Sequence, residues 1–191
     1  MIYSFDIKEQ PEVLYNHLNL GGESPSGERI DVCSRYLIRN SKPYIPVMGE
    51  IHFQRLKREH WRDELLKMKA GGITTVSTYV LWIYNEEEEG KINFDGDNDV
   101  RAFIELCREC GLEVVLRIGP WAHGECRNGG FPDWLVNKGI PLRCNDERYL
   151  EIVRRYYNAI GEQVKDLMFT RGGNIIAIQL ENELVNQSEH L

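Results

Sequence analysis

Short apolar runs alternate with segments of helical periodicity along most of this chain. The runs occupy residues 44–53, 73–82, 112–118 and 174–181. The segments between them repeat apolar residues every three or four positions: Trp61, Leu65 and Met68; Val100, Phe103, Ile104 and Cys107; Leu150, Val153, Tyr157, Ile160, Val164 and Leu167. Apolar runs without polar alternation are typical of parallel strands that helices cover on both faces. The order βαβαβαβ predicts an α/β fold, either an open doubly wound sheet or part of a (β/α)8 barrel.

The first 43 residues are predicted to form a separate N-terminal segment, irregular except for a β-hairpin. Residues 21–27 (GGESPSG) are rich in turn formers and predict a loop. Residues 39–43 predict a hairpin turn between residues 34–38 and the strand at 44–53. The α/β part would then occupy residues 44–191. No G-x-G-x-x-G motif follows its first strand, so a dinucleotide site has little support.

Polar and aromatic residues gather where the predicted strands end, whereas the starts of the strands are bland. These strand ends contain Glu50 and His52; Tyr79 and Trp82; Trp121, His123 and Glu125; and Glu181, Asn182 and Glu183. In both candidate architectures the carboxyl ends of the strands lie at the face that carries the chemistry. Aromatic rings stack on the apolar face of a sugar, and carboxylates and amides bind its hydroxyl groups. The pattern predicts a carbohydrate site.

Composition excludes several other partners. The formal charge of −7 has the wrong sign for nucleic-acid binding. No apolar run approaches the ~18 residues of a membrane span. Asp6 and Glu9 stand where a signal peptide would be apolar, so we expect a cytoplasmic protein.

The five cysteines are an odd number, and the Cys107 and Cys110 pair falls in a helical segment, so we expect reduced thiols and neither a metal nor a cofactor.

Six motifs, in matching order over about three quarters of the chain, resemble the catalytic domain of the family 35 glycoside hydrolases, the β-galactosidases. They are GEIHF (49–53) with Arg55, WRDELLKMKAGG (61–72), TYV (78–80), RIGP (117–120), GGFPDWL (129–135) and QLENE (179–183). The resemblance implies a (β/α)8 barrel, of which this chain would contain the first four β/α units. It also implies hydrolysis of terminal non-reducing β-galactosyl residues with retention of configuration.

The resemblance also assigns roles to individual residues. Glu183 matches the acid/base carboxyl after the fourth strand, and Asn182 matches an amide that holds the sugar's 2-hydroxyl group. The implied substrate-binding positions are Tyr79, Glu125, Asn182, Glu50 and His52, with the last two in a lining or supporting role. His123 and Cys126 differ from the residues that are commoner beside Glu125. Glu86 is placed at a family position by the resemblance, whereas the rest of that loop is predicted to be a solvated acidic run.

Retaining hydrolysis requires a second carboxyl group, and the family's nucleophile follows the seventh strand. We therefore expect a truncated chain that is catalytically incomplete and that self-associates through exposed barrel edges. Two other interpretations remain open. One is a non-catalytic carbohydrate-binding fragment. The other is an unrelated α/β enzyme that acts on a small acid through His52 and His123, with or without a metal.

Overall fold

A computed structural model describes residue 3 and residues 11–184 of the chain, which divides into two compact units, Met1–Ile45 and Pro46–Leu191. The boundary lies two residues beyond the one predicted from the sequence. Asp6 and Glu9, on which the expectation of a cytoplasmic protein rests, lie outside the described residues. Within the described residues, no helix is both long enough and apolar enough to cross a membrane.

The first unit contains a four-stranded antiparallel sheet with strands in chain order. Its strands are β1 (Gly21–Glu23), β2 (Arg29–Val32), β3 (Leu37–Arg39) and β4 (Lys42–Tyr44). The predicted hairpin is present as β3 and β4, but its turn is shorter than the predicted residues 39–43. Only Asn40 and Ser41, which both have positive φ, join the two strands. Two central residues with φ > 0 match the right-handed twist of the strands in a tight hairpin.

The prediction of a loop over residues 21–27 is wrong at its start, because Gly21 and Gly22 belong to β1. A side chain at Gly21, which has φ +127°, would come within 2.7 Å of both the Asp31 carboxylate and the Ile30 carbonyl oxygen. Glycine serves here for close strand approach rather than for a turn. Only residues 24–27 turn the chain, and the Gly27 N–H closes that turn on the Ser24 carbonyl at 2.9 Å.

The second unit is built around a parallel sheet of four strands, again in chain order. These strands are β5 (Met48–Glu50), β6 (Thr75–Tyr79), β7 (Glu113–Arg117) and β8 (Ile175–Gln179). The helices are α1 (Trp61–Ala70), α2 (Trp82–Asn85), α3 (Val100–Glu109), α4 (Asp133–Val136) and α5 (Glu147–Val164). The predicted parallel sheet with covering helices is confirmed.

The prediction of one buried strand over residues 44–53 is wrong. β4 ends at Tyr44 and β5 begins at Met48, so the run is split between the two units. β5 lies at the edge of its sheet, and Met48 is 53% exposed. Pro46 interrupts the run, and proline cannot donate a hydrogen bond to a sheet ladder.

The ends and faces of the helices follow from local sequence. Asp99 caps α3 by accepting a hydrogen bond from the Ala102 N–H at 2.8 Å, and Asp146 caps α5 through the Arg148 N–H at 3.0 Å. The predicted apolar stripe of α3 is buried in the core. Trp82 stacks on Tyr156 of α5, with ring centres 4.2 Å apart. The Trp82–Tyr156 contact packs α5 against the segment that directly follows β6.

Candidate functional site

Arg117 is the centre of the polar network at the carboxyl end of the parallel sheet. Its Nη1 donates to the Glu50 carboxylate, its Nη2 donates to Asn182 Oδ1 at 2.7 Å, and its Nε donates to Gln179 Oε1 at 3.1 Å. The guanidinium also lies over the Tyr79 ring, 3.8 Å from its centre. Parallel register explains the cluster, because Tyr79, Arg117 and Gln179 pair side by side across β6, β7 and β8.

Tyr79 forms the floor of this edge. It is 2% exposed, and its buried hydroxyl has no hydrogen-bond partner among the residues that the structure describes. Burial raises the pKa of Tyr79 to about 12, while Arg117 acts in the opposite direction. A buried polar group without a partner is uncommon in proteins and calls for an explanation, such as a ligand group that completes the site.

His52 lies against the Tyr79 ring, with ring centres 5.6 Å apart and an interplanar angle of 29°. Its Nε2 is 3.3 Å from Glu50 Oε1, whereas its buried Nδ1 has no partner in residues 11–184 or at residue 3. Burial lowers the pKa of His52, and the negative charge of Glu50 opposes that shift. The ring is therefore a neutral group at neutral pH, and one of its two nitrogens makes no hydrogen bond to the described residues.

Asn182 joins this network to the loop after β7. Its Nδ2 lies 2.9 Å from His123 Nδ1, and the Trp121 indole N–H donates to the same His123 nitrogen at 2.8 Å. A side chain on Gly129 would come within 2.4 Å of the Trp121 ring. The Trp121 ring therefore packs against the backbone of Gly129. Its hydrogen bond to Nδ1 fixes the position of the His123 ring.

Arg143 holds the segment after β8. Its Nε and Nη2 donate to the two carboxylate oxygens of Glu181 at 3.1 and 2.6 Å, and Nη2 also donates to the Asn182 carbonyl at 2.8 Å. The Glu181 residue is 7% exposed. Its N–H donates to the Gly119 carbonyl at 2.7 Å. This buried, bidentate pair assigns Glu181 a structural role.

Glu183 and Glu125 are exposed carboxylates of this edge, and Glu50, which is paired with Arg117, is a third. The Glu183 side chain is 76% exposed, and its Oε2 lies 3.9 Å from His123 Nε2. Glu125 is exposed on the loop after β7. Its negative charge, like that of Glu50, partly opposes the lowering of the His52 pKa by burial. The Glu183 and Glu125 carboxylates are thus accessible to a molecule bound at the strand ends.

Left-handed backbone is concentrated around the site. Five of the ten described non-glycine residues with positive φ lie here: His123, Glu125, Arg143, Glu181 and Glu183. Such conformations persist where surrounding contacts hold them, and they cluster at functional sites. The strained backbone places these side chains at one edge.

The structure brings Glu50, His52, Tyr79 and Asn182 into one connected network, with Glu183 reached through His123. Sequence reasoning missed the central role of Arg117, although it lies in the RIGP motif. The position of Arg117 at the end of its predicted strand could have indicated that it lies at the same edge as Tyr79 and Gln179, although not their register. Arg143 lies outside all the motifs, and only the tertiary fold reveals it.

Glu86 is separate from this site. It is fully buried, and it accepts hydrogen bonds from the Trp82 indole at 2.8 Å and the Gly90 N–H at 2.6 Å. Its Oε1 also lies 2.6 Å from Arg155 Nη1. It is therefore a structural ion-pair residue rather than part of a solvated run. The described residues contain no group of three His, Cys, Asp or Glu side chains placed to hold a metal ion.

Comparison with solved structures places the fold among glycosidases with TIM-barrel folds. An exo-β-1,4-mannosidase, Op5Man5 from Opitutaceae bacterium strain TAV5, aligns with a TM-score of 0.59 and 20% identity over 86% of this chain and 27% of its own. A β-galactosidase from the psychrophilic Marinomonas ef1 aligns with a TM-score of 0.59 and 17% identity over 77% of this chain and 23% of its own. These likenesses define the class of fold as a parallel sheet covered by helices, as in the TIM barrels of those glycosidases.

Sequence comparison narrows the class. A family model described as Glycosyl hydrolases family 35 matches residues 36–190, and the chain belongs to that family. A β-galactosidase of Xanthomonas manihotis is 46% identical over 147 residues, which are 76% of this chain and 25% of that protein. A β-galactosidase of Bos taurus is 40% identical over 156 residues, 81% of this chain and 24% of that protein. The chain thus spans about a quarter of the length of these curated relatives.

Proposed function

We propose that this chain forms the acid/base half of a retaining β-galactosidase, built from the first four β/α units of a (β/α)8 barrel. The observation that carries the proposal is the network around Arg117. It joins Glu50, Tyr79 and Asn182 from three strand ends, and Asn182 directly precedes Glu183. These residues match the sugar-site motifs of the family, and the family itself is established by sequence.

Glu183 is assigned as the proton donor to the glycosidic oxygen and afterwards as the base that activates water. Its carboxyl is exposed at the strand ends rather than paired with an arginine, so it can approach a glycosidic oxygen. The general acid of a retaining glycosidase must hold a proton until the leaving group departs. A bound sugar and a neighbouring carboxylate would supply the desolvation and the negative charge that favour the protonated form.

The sugar contacts follow from the unpaired polar atoms. Within the described part of the chain, the Tyr79 hydroxyl and His52 Nδ1 are both buried without partners, and the hydroxyl groups of a pyranose can satisfy both. Asn182 and Glu125 would add an amide and a carboxylate to the same sugar. Glu50 is held by Arg117 and Ser77, so we assign it a supporting role.

The second carboxyl group is assigned to a part of the barrel beyond these four strands. A retaining mechanism places two carboxyls ~5–5.5 Å apart. Glu50 and Glu181 are each engaged by an arginine, and neither is suited to attack an anomeric carbon. We infer that the 191-residue chain binds galactosides without hydrolysing them, and that the outer edges of β5 and β8 favour self-association.

Binding tests the sugar site directly. Methyl β-galactoside titrated into the isotopically labelled chain should shift the NMR signals of Tyr79, Glu125 and Asn182, whereas methyl β-glucoside should shift them less. Tyr79→Phe should weaken binding. The matched control is Tyr149→Phe, because the Tyr149 hydroxyl is also buried without a partner but belongs to the hydrophobic core. Equal effects of the two variants would contradict the sugar contact.

Catalysis requires a complete barrel. The matching 147-residue segment of this chain can be exchanged into the Xanthomonas manihotis β-galactosidase, which is 46% identical to it. In that chimera, Glu183→Gln should lower kcat on alkyl galactosides by about 10²- to 10⁴-fold, the usual contribution of a general acid. Nitrophenyl galactosides, whose leaving group needs little protonation, should lose less in glycosylation. Unchanged rates on both substrates would exclude Glu183 as the acid.

A further inference from the structure

Two hydrogen-bond donors meet the same nitrogen of His123. Trp121 Nε1 lies 2.8 Å from His123 Nδ1, and an indole nitrogen can only donate. Asn182 Nδ2 lies 2.9 Å from the same atom. The orientation of the Asn182 amide is fixed, because its Oδ1 accepts hydrogen bonds from Arg117 at 2.7 Å and from Gln179 at 3.2 Å. Both neighbours therefore present N–H groups to His123 Nδ1.

A nitrogen that accepts two hydrogen bonds carries no proton. A neutral His123 ring must therefore hold its proton on Nε2, because one imidazole nitrogen is the donor when the other accepts. That Nε2 atom lies 3.9 Å from Glu183 Oε2. The ring is also fixed against Trp121 in an edge-to-face arrangement, with centres 5.1 Å apart. The network thus directs an N–H group toward the Glu183 carboxyl.

We propose that His123 is a positioning residue for Glu183, an inference that rests on the acid/base role proposed above. A rotation of the exposed Glu183 side chain that moves Oε2 by about 1 Å toward His123 Nε2 brings the two atoms to the distance of a normal N–H···O hydrogen bond. In the protonated carboxyl, the His123 N–H pairs with the carbonyl oxygen. The hydroxyl oxygen then remains free to face the leaving group.

Core packing does not account for this arrangement. The His123 side chain is 43% exposed, so its ring is only partly required by the hydrophobic core. Both His123 and Glu183 have left-handed backbone, with φ of +54° and +51°. Their conformations bring the two side chains toward each other at the open edge of the sheet. A role in orienting the carboxyl explains why a polar ring is fixed at this exposed position.

The tautomer can be measured on the 191-residue chain by ¹H–¹⁵N NMR of labelled histidine at neutral pH. We expect His123 to show one neutral form with the proton on Nε2. Trp121→Phe combined with Asn182→Asp removes the indole donor and replaces the amide donor by an acceptor, so the proton should move to Nδ1. Asn137→Asp, at an exposed position, should leave the ring unchanged. A proton on Nδ1 in the parent chain, or no response to the double variant, would overturn the proposal.

A pair of His123 variants tests the effect on Glu183. The amide nitrogen of glutamine can occupy the position of Nε2, whereas that of asparagine is too short to reach Glu183. Three-bond couplings should show one dominant χ1 rotamer for Glu183 in the parent and in His123→Gln, and averaged rotamers in His123→Asn. Strand amide signals verify folding in each spectrum. The same averaging in all three proteins would refute the positioning role. Neither measurement depends on hydrolysis or sugar binding, so ordered rotamers with an inactive acid would count against the proposed function alone.

Discussion

Arg143 binds Glu181 through two hydrogen bonds, of 3.1 and 2.6 Å, in a site where the Glu181 side chain is 8% exposed. The same guanidinium lies over the Trp121 ring, 4.6 Å from its centre. It thereby links the segment after β8, which carries Glu183, to the loop after β7. The geometry of the candidate site therefore depends on a residue that is not itself a proposed sugar ligand and that holds the backbone of Asn182.

Arg143→Met should destabilise the fold by about 3 to 5 kcal/mol, because it leaves the Glu181 charge buried without a partner. Urea unfolding measures this change. In the double variant with Glu181→Gln, most of the stability should return, because the uncompensated charge is removed. Additive losses in the double variant would show that the two side chains act independently.

Gly129→Ala should destabilise the chain through a collision with Trp121. A Cβ atom at this position would lie 2.4 Å from the indole ring, and φ is +60°. Gly139→Ala is the matched control, because its φ of +68° is similar but no atom lies within 4 Å of the added carbon. The control should lose only the ~1–2 kcal/mol of left-handed backbone strain.

Thermal unfolding and tryptophan fluorescence separate the two effects. Gly129→Ala should lose more stability than Gly139→Ala and should also change the Trp121 emission. Similar losses without a spectral change would show that the collision with Trp121 does not contribute to the free energy of unfolding.

The parallel sheet was predictable because its strands and helices have distinct apolar periods, and the motifs that resemble family 35 lie at the strand ends. The register that brings Arg117 beside Tyr79 is set by pairing between distant segments, which periodicity does not encode. β1 was missed because its two glycines serve close strand approach. Arg143 lies in a loop without periodicity, so its contact with Glu181 emerges only from the tertiary fold.

The acidic run illustrates the same limit. Composition predicts a solvated segment at residues 87–89, which are exposed, yet the adjoining Glu86 is fully buried against Arg155. Glu86→Gln should reduce stability by about 2 to 4 kcal/mol, since it leaves the Arg155 charge without its partner. Glu88→Gln, whose exposed carboxylate pairs with Lys91, should change stability by less than about 0.5 kcal/mol. Chemical denaturation of both variants measures the two changes in stability. Equal effects would show that the buried Glu86–Arg155 pair contributes no more than the exposed Glu88–Lys91 pair.

His52 should make the chain less stable in mild acid. Burial lowers its pKa below the ordinary value of 6.5, so the unfolded chain binds a proton at a higher pH than the folded chain does. The stabilisation is therefore complete above about pH 6.5 and is lost as the pH falls through that value toward the lower folded-state pKa. Urea unfolding at about pH 7.5 and about pH 5.5 should show a smaller loss in His52→Gln than in the parent.

Two charge variants test the cause of the His52 shift by NMR titration of the ring. Glu50→Gln should lower the pKa of His52 further, because the carboxylate 3.3 Å from Nε2 favours the protonated ring. Arg55→Gln should raise the pKa, because the positive charge of Arg55 disfavours protonation. Shifts in the same direction would mean that altered burial, rather than charge, dominates the response. Opposite shifts would show that the two neighbouring charges act on the His52 ring in opposite directions. Burial would then be the main cause of its lowered pKa, which keeps the ring beside Tyr79 neutral.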